Sequence, residues 1–531
     1  MKRAIERRIV TIIAMVSLLL FFSCRIFWQQ EAGQAEKEGE KRAIEAVFVT
    51  PYATEEGLNN AFWLKKLALE QKIAINWRVI TPESWEAEKE AVLSGKNAPD
   101  LFINALETSD YARYPLKFEN FAKYIGTSTP NIAKMFRETK NLVAAATVYT
   151  GEVFALPSYS ALELPQSFSH SAKTVVFINQ AWLKKLNLLI PETLDEFEST
   201  LRAFRENDCN EDGEATDEIP FDFYGWDKSQ FSALMFLGSF GVQLTDGGKN
   251  GYFLEDEVVK NFFIDERYKT LLSRLAKWYK EGLIRDASLT SDYRGYRERS
   301  HGDKEGRALV GAVIGKEETE QFGEKIASQY RVMLPPVAEA DGERAKLCWS
   351  YDNLALQANK VSLNAACAKK EAVIAFLDSL YLTENSIYSM FGDENFVATG
   401  ENADFVIKNN IENANCFGEY GPHYVESGLS LEIPESYVYA QLERAQYQKL
   451  KVKKENIYPE IFLKYPALQH KDIAAIEAEV RKEARAFAAS VIRGEREIES
   501  DWGKYCARLA EIGIEKAIVA HQAAYNRYAT K

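Results

Sequence analysis

The 531-residue chain carries 65 Lys and Arg against 78 Asp and Glu, a formal charge of −13. That balance, with no long basic run, excludes a nucleic-acid partner, which needs a basic surface to displace counterions. With 46% apolar and 27% charged residues the composition is that of an ordinary globular chain, too long for one compact core and sufficient for two lobes.

Lys2, Arg3, Arg7 and Arg8 precede an apolar run from Ile9 to Phe22, followed by Ser23 and Cys24. A basic start before such a run reads as a secretory signal over residues 1–23. As a helix the run rises about 21 Å, short of the ~30 Å hydrocarbon core, so it is a poor permanent span. The ending Leu20-Phe21-Phe22-Ser23-Cys24 is similar to a lipobox, in which cleavage before the cysteine leaves its thiol to carry a diacylglycerol. Phe21 and Phe22 depart from the small residues usual there, which leaves plain secretion as the alternative. Residues 24–42 run through Glu, Lys, Gln and Gly with too little apolar surface to fold, and read as a tether.

Ala43 to Thr50 alternates and is β-branched enough for a first strand, and the segment to Leu69 has helical spacing through Phe62, Trp63 and Leu67. Strands are expected again at Ile73 to Ile80 and Asp100 to Asn104, so strand and helix alternate, as in an α/β lobe with a mainly parallel sheet. Thr193 with Glu196 forms a capping box ahead of the stripe Leu194, Phe197, Leu201 and Phe204. A second amphipathic helix runs through Tyr268, Leu271, Leu272, Leu275, Trp278 and Tyr279 and stops near Gly282. Further helix is expected at Ala365 to Tyr381 and from Ala474 onward. Trp63, Trp182, Trp278 and Trp502 fall on helical apolar stripes and are assigned to packing. Beyond Cys24 the cysteines are Cys209, Cys348, Cys367, Cys416 and Cys506, an odd set without CxxC and so no disulfide framework.

After the capped helix comes DCNEDGEATDEIP, residues 208–220. Oxygen-bearing side chains at Asp208, Asn210 and Asp212, Gly213 for the turn and the Glu214 carbonyl reproduce positions 1, 3, 5, 6 and 7 of a calcium loop. Position 12 is Ile219, so acidic closure would have to come from Asp217 and Glu218; the alternative is a solvated acidic turn. Catalytic signatures are lacking. VGAVIGKEE at 310–318 mis-spaces the glycine and has Glu317 where a phosphate loop needs Ser or Thr, and the five histidines form no HExxH or Cys/His metal spacing. There is no GxSxG, and a glycosidase carboxylate pair is not legible from sequence. The chain is read as a binding protein and not an enzyme.

Several segments together resemble the extracellular solute-binding protein family 1, its carbohydrate-binding branch. They are SGKNAPDLFIN (94–104), GEVFALP (151–157), VVFINQAWLKKLNLLIPETLDEFESTLRAFRE (175–206), LAKWYKEGLI (275–284), YRVMLPPV (330–337), AVIAFLDSLYLTEN (372–385) and DWGKYCARLAEIGIEKAIVAHQAAYNRY (501–528). The resemblance implies a type II periplasmic-binding fold: two α/β lobes, 43–155 with 351–430 and 156–350 with 431–531, closing on a ligand between them. It implies a sugar or oligosaccharide ligand, separate ABC permease and ATPase chains as partners, a monomer, and a lipid-anchored place outside the cytoplasm. A surface adhesin or ligand sensor on the same fold is the alternative. The family's calcium loop, D-x-N-x-N-G-x-x-D-E-I-P, supports Asp217 and Glu218 as ligands, although one extra residue precedes Asp217 here.

Sugars present apolar ring faces edged by hydroxyls, so aromatic side chains on loops after strands are the candidate ligand contacts. These are Tyr52 after the first strand, Tyr159 after the first crossing, Trp226 in YGWDKSQ, and Trp349 with Asp352 in CWSYD. The N-terminal reading is tested by Cys24→Ala, which should move the protein from the membrane fraction to the soluble fraction. A variant that stays membrane-bound, with no labelled fatty acid on wild type, would refute the anchor.

Overall fold

The computed structural model describes residues 43–530 except 52, 96, 127, 163–173, 215, 226–230, 245–248, 316–317, 350–355, 401–403, 409–414, 433–444 and 451–456. Cys24 and residues 25–42 lie outside the described residues.

Ten strands build two sheets: β1 (Ala43–Val49), β2 (Ala74–Ile80), β3 (Leu101–Ile103), β4 (Leu156–Ser160), β5 (Val175–Asn179), β6 (Ile219–Asp222), β7 (Val310–Gly315), β8 (Tyr330–Met333), β9 (Leu356–Leu363) and β10 (Tyr424–Val425). The first sheet has the order β10-β4-β9-β3-β1-β2 and the second β8-β5-β7-β6. In the first, β1 runs parallel to β2 and β3, from Ala43 opposite Ala74 to Val49 opposite Ile80. β9 is antiparallel to both β3 and β4, with Leu356 opposite Tyr159. In the second, β6 is parallel to β7, while β5 lies antiparallel between β7 and β8, with Val175 opposite Gly315 and Met333 opposite Val176. The boundary read at residue 155 therefore falls one strand early, because β4 pairs inside the first sheet. Sequence order hid this: β4 is held by strands more than 190 residues downstream, at Leu356 and Tyr424.

β5 and β7 are buried at every position, as strands covered by helices on both faces must be. The Thr193 capping box is present, with Glu196 N–H donating to Thr193 Oγ1 at 3.2 Å and Thr193 N–H to Glu196 Oε2 at 3.0 Å. The helix Leu194–Glu206 buries Leu194, Phe197, Leu201 and Phe204. The helix Glu266–Lys280 buries Tyr268, Leu271, Leu272, Leu275 and Trp278, and Gly282 follows with φ of 70°. The segment expected from Ala365 becomes helical only at Lys370–Leu380, because Ala365 N–H is engaged by the Lys117 carbonyl and Ala366 N–H by the Asn364 side chain. The C-terminal helices are Ala467–Ile492, Ile498–Ile512 and Ile514–Ala529, and much of their apolar surface joins the core of the second sheet. Trp63, Trp182, Trp278 and Trp502 are buried, and Cys209, Cys348, Cys367, Cys416 and Cys506 are all free thiols.

Trp349 also belongs to that core, which corrects its reading as a ligand contact. It is 1% exposed, its ring lies 6.1 Å from Phe236 and 6.1 Å from Tyr447, and its indole N–H donates to the Thr174 carbonyl at 2.8 Å. A loop tryptophan off any helical stripe looked free of packing duty; the fold folds that loop into the core. Trp349→Ala should cost about 3–5 kcal/mol of unliganded stability, and Trp349→Phe about 1–3 kcal/mol for the unpaired Thr174 carbonyl. Chemical denaturation checks this, and two variants as stable as wild type would contradict the placement.

Candidate functional site: the cleft between the sheets

Strand direction locates the site. The carboxyl ends of β1, β2 and β3 share one edge of the first sheet, and the antiparallel pairing brings the start of β9 and the end of β4 to that same edge. In the second sheet the ends of β6, β7 and β8 lie together with the start of β5. The chain passes from the end of β4 to the start of β5, and returns to the start of β9, so these two edges are the ones joined. Open α/β sheets take ligands at their carboxyl edges, and here two such edges are tied to each other.

On the first edge Asn104 and Asn359 adopt left-handed φ of 50° and 59°, a conformation Asn tolerates better than most residues. Asn104 Nδ2 donates to the Val49 carbonyl at 2.9 Å and Lys360 Nζ to Asn104 Oδ1 at 3.2 Å. Asn359 Nδ2 donates to Thr108 Oγ1 at 3.0 Å, and the register of β9 against β4 shifts between Gln357 and Val361. Such a bulge re-aims side chains at a rim. Tyr159, at the end of β4, is half-buried with its ring 6.2 Å from Tyr424. Tyr52, Trp226 and Asp352 lie outside the described residues.

On the second edge Asp222 ends β6 fully buried. It accepts from Arg299 Nε at 2.8 Å, Arg299 Nη2 at 3.1 Å and Ser288 Oγ at 2.6 Å. Tyr224 follows, backed by Tyr293 at 5.6 Å and Tyr296 at 6.1 Å, and its hydroxyl donates to Glu83 of the other lobe. A second contact crosses between the lobes from Lys249 to Glu107. Glu107 also lies 3.7 Å from Lys89, which sits 3.4 Å from Asp110. Burial would raise the Glu107 carboxyl, but Lys249 and Lys89 outweigh it and hold the group well below the ordinary carboxylate range. Asp110, where burial dominates, is pushed up. Sequence reasoning missed Glu83, Glu107, Tyr224 and Lys249. Glu83 reads as a helix-start acid, and only Tyr224, two residues before the named Trp226, carried a local signal.

The loop at 208–218 is folded on its own side chains. Asp212 N–H donates to Asp208 Oδ1 at 3.2 Å and to Asn210 Oδ1 at 3.0 Å, Gly213 N–H to Asp208 Oδ2 at 3.0 Å, and Glu214 N–H to Asp212 Oδ1 at 2.8 Å. Glu218 Oε1 accepts from Cys209 N–H, and Arg285 braces the loop from outside by donating to the carbonyls of Thr216, Asp217 and Glu218. Among the described residues no three Asp, Glu, His or Cys side chains are grouped to hold a metal ion. Asp217 Oδ1 and Glu218 Oε2 are nevertheless buried without a hydrogen-bond partner. Burial raises both carboxyls, and neighbouring carboxylates, Asp212 for the first and Asp217 for the second, add to it. Hard oxygen donors with two orphaned carboxylate atoms fit the chemistry of a calcium ligand set.

No family model matches the chain. It is 24% identical over 519 residues to the fructooligosaccharide ABC transporter substrate-binding protein FusA of Streptococcus pneumoniae, covering 92% of this chain and 91% of that one. It is 34% identical over 113 residues to the lipoprotein LipO of Bacillus subtilis, 21% of each chain. The solved structure of FusA in complex with kestose superposes with a TM-score of 0.77 at 21% identity, covering 92% of this chain and all of that one (100%). A FusA EF-hand mutant with fructo-nystose gives 0.76 at 20% identity, covering 92% and 100%. A human-milk-oligosaccharide-binding solute-binding protein of Bifidobacterium longum infantis gives 0.74 at 22% identity, covering 92% and 99%. The chain thus has two α/β lobes joined at their carboxyl edges, and it shares over 92% of its length the fold of the solute-binding proteins it is similar to.

Proposed function

We propose that the chain is the substrate-binding lipoprotein of an ABC importer, which takes an oligosaccharide between its lobes and presents it to separate permease and ATPase chains. The observation that carries this reading is the pair of carboxyl edges joined through the chain between β4 and β5 and between β8 and β9, in a chain similar over 92% of its length to a fructooligosaccharide-binding protein. The role is binding without turnover. Tyr159, Tyr52, Trp226 and Asp352 remain the proposed ligand contacts, aromatic faces for sugar rings and a carboxylate for hydroxyls. Trp349 acts from behind by holding the second lobe's edge in place. Cys24, in this reading, anchors the protein outside the cytoplasmic membrane.

Calcium is proposed as a structural ion of the second lobe, held by Asp208, Asn210, Asp212, the Glu214 carbonyl, Asp217 and Glu218. When bound it supplies positive charge to carboxylates that otherwise repel one another. The orphaned oxygens of Asp217 and Glu218 support this, as does the existence of an EF-hand mutant of FusA.

Calorimetric titration should find micromolar or tighter binding of at least one of kestose, nystose, a milk oligosaccharide or a mannose-rich N-glycan. Binding of none of them would refute the sugar cargo. For the metal, saturation at a hundredfold over the dissociation constant stabilises the fold by about 2.7 kcal/mol. A chelator should therefore lower the melting temperature of wild type and leave that of Asp208→Ala unchanged; identical melts of metal-stripped wild type with and without added calcium would refute the site.

A further inference from the structure

We infer that Glu83 and Tyr224 form a clasp that fastens the two lobes at the open end of the cleft and sets how long a ligand stays. This deepens the proposed binding role, since it rests on closure of the lobes around a cargo.

Position in the sheets comes first. The crossings join the sheets at β4, β5 and β9, toward one end of each strand order. Glu83 follows β2 and Tyr224 follows β6, the outermost strands at the opposite end of the first and second sheet respectively. The pair therefore meets where the cleft is farthest from its hinge. A contact there has the greatest leverage on opening, because a small rotation about the crossings separates the far ends most.

Both partners are presented by rigid elements. Glu83 sits in the first turn of the helix Pro82–Ser94, behind a Thr81 cap whose Oγ1 accepts from Ser84 N–H and with Pro82 fixing the entry. Tyr224 is buried to 5% exposure. Its N–H donates to the Phe231 carbonyl at 3.0 Å, and its ring packs against Tyr293 and Tyr296. Gly225 turns the chain immediately afterwards with φ of 66° and donates to the Ser288 carbonyl at 2.9 Å. Arg299 and Ser288 lock Asp222 two residues earlier. The phenol is thus held ready, and its hydroxyl crosses to a carboxylate, the stronger class of hydrogen bond. Lys249 on Glu107 adds a second link between the lobes, from the end of β3.

A clasp of this kind acts on dissociation more than on association, because the ligand enters while the contact is open and must wait for it to break before leaving. It also favours closure with and without ligand, and apparent affinity rises through the liganded closed state.

The test is stopped-flow release of the best-bound oligosaccharide from wild type, Tyr224→Phe, Glu83→Ala, the double variant and Glu83→Gln, with small-angle scattering of each unliganded protein. Tyr224→Phe and Glu83→Ala should each speed release about tenfold, the double variant no further, and Glu83→Gln less, since an amide still accepts. The radius of gyration should rise in the variants while melting temperatures stay near wild type. Release rates and dimensions equal to wild type would overturn the clasp while leaving sugar binding intact. If wild type bound none of the sugars, the cargo reading would fall and scattering alone would judge the clasp: unchanged dimensions overturn it, expanded variants uphold it.

Discussion

The hydrogen bond from the Trp349 indole to the Thr174 carbonyl fastens two of the chain's passages between the lobes where they meet the second lobe; a third leads from β10 to the C-terminal helices. Thr174 immediately precedes β5, and Trp349 lies just before the return to β9. In the first sheet the same two crossings leave from neighbouring strands, because β4 and β9 pair antiparallel. Each end of the hinge is therefore a fixed pair, at one end by a ladder and at the other by a buried indole. The facing edges, and the leverage of contacts at their far end, depend on those attachments together with the passage that follows β10.

Among the described residues, buried carboxylates are treated in two ways. Asp222 is buried against Arg299 and Ser288, and Glu198 accepts from Trp278 Nε1 at 2.9 Å with Arg202 and Lys277 beside it. Asp378 accepts the N–H groups of Asn131 and Ile132 at 3.1 and 2.9 Å, where it stands in for a cap on the helix Pro130–Glu138. These carboxylates are costly to bury and each has been given its donors. Asp217 and Glu218 each have one oxygen without a donor, and burial, with a neighbouring carboxylate beside each, pushes both carboxyls up. The loop they close is braced by Arg285 through its carbonyls and not through its carboxylates, so the backbone is settled while the acidic charge still lacks a partner.

Local chemistry determined a good part of this protein from the sequence alone. The capping box at Thr193, the apolar stripes at 194–204 and 268–278, the α/β alternation and the turn-forming Asp208, Asn210 and Asp212 are all written within a few residues, because helix caps, helix faces and Asx turns are short-range arrangements. The segments that resemble solute-binding proteins carried the two-lobed architecture further than periodicity could. Tertiary structure alone decided what depends on pairing across long separations. β4 joined the first sheet because strands near Leu356 and Tyr424 pair with it, and Trp349 went into the core because Thr174, Phe236 and Tyr447 surround it. Glu83 and Tyr224 are 141 residues apart, and nothing near either one announces the other. Their meeting exists only once two sheets have been set edge to edge, since a contact between lobes is a property of the hinge and not of either strand that carries it.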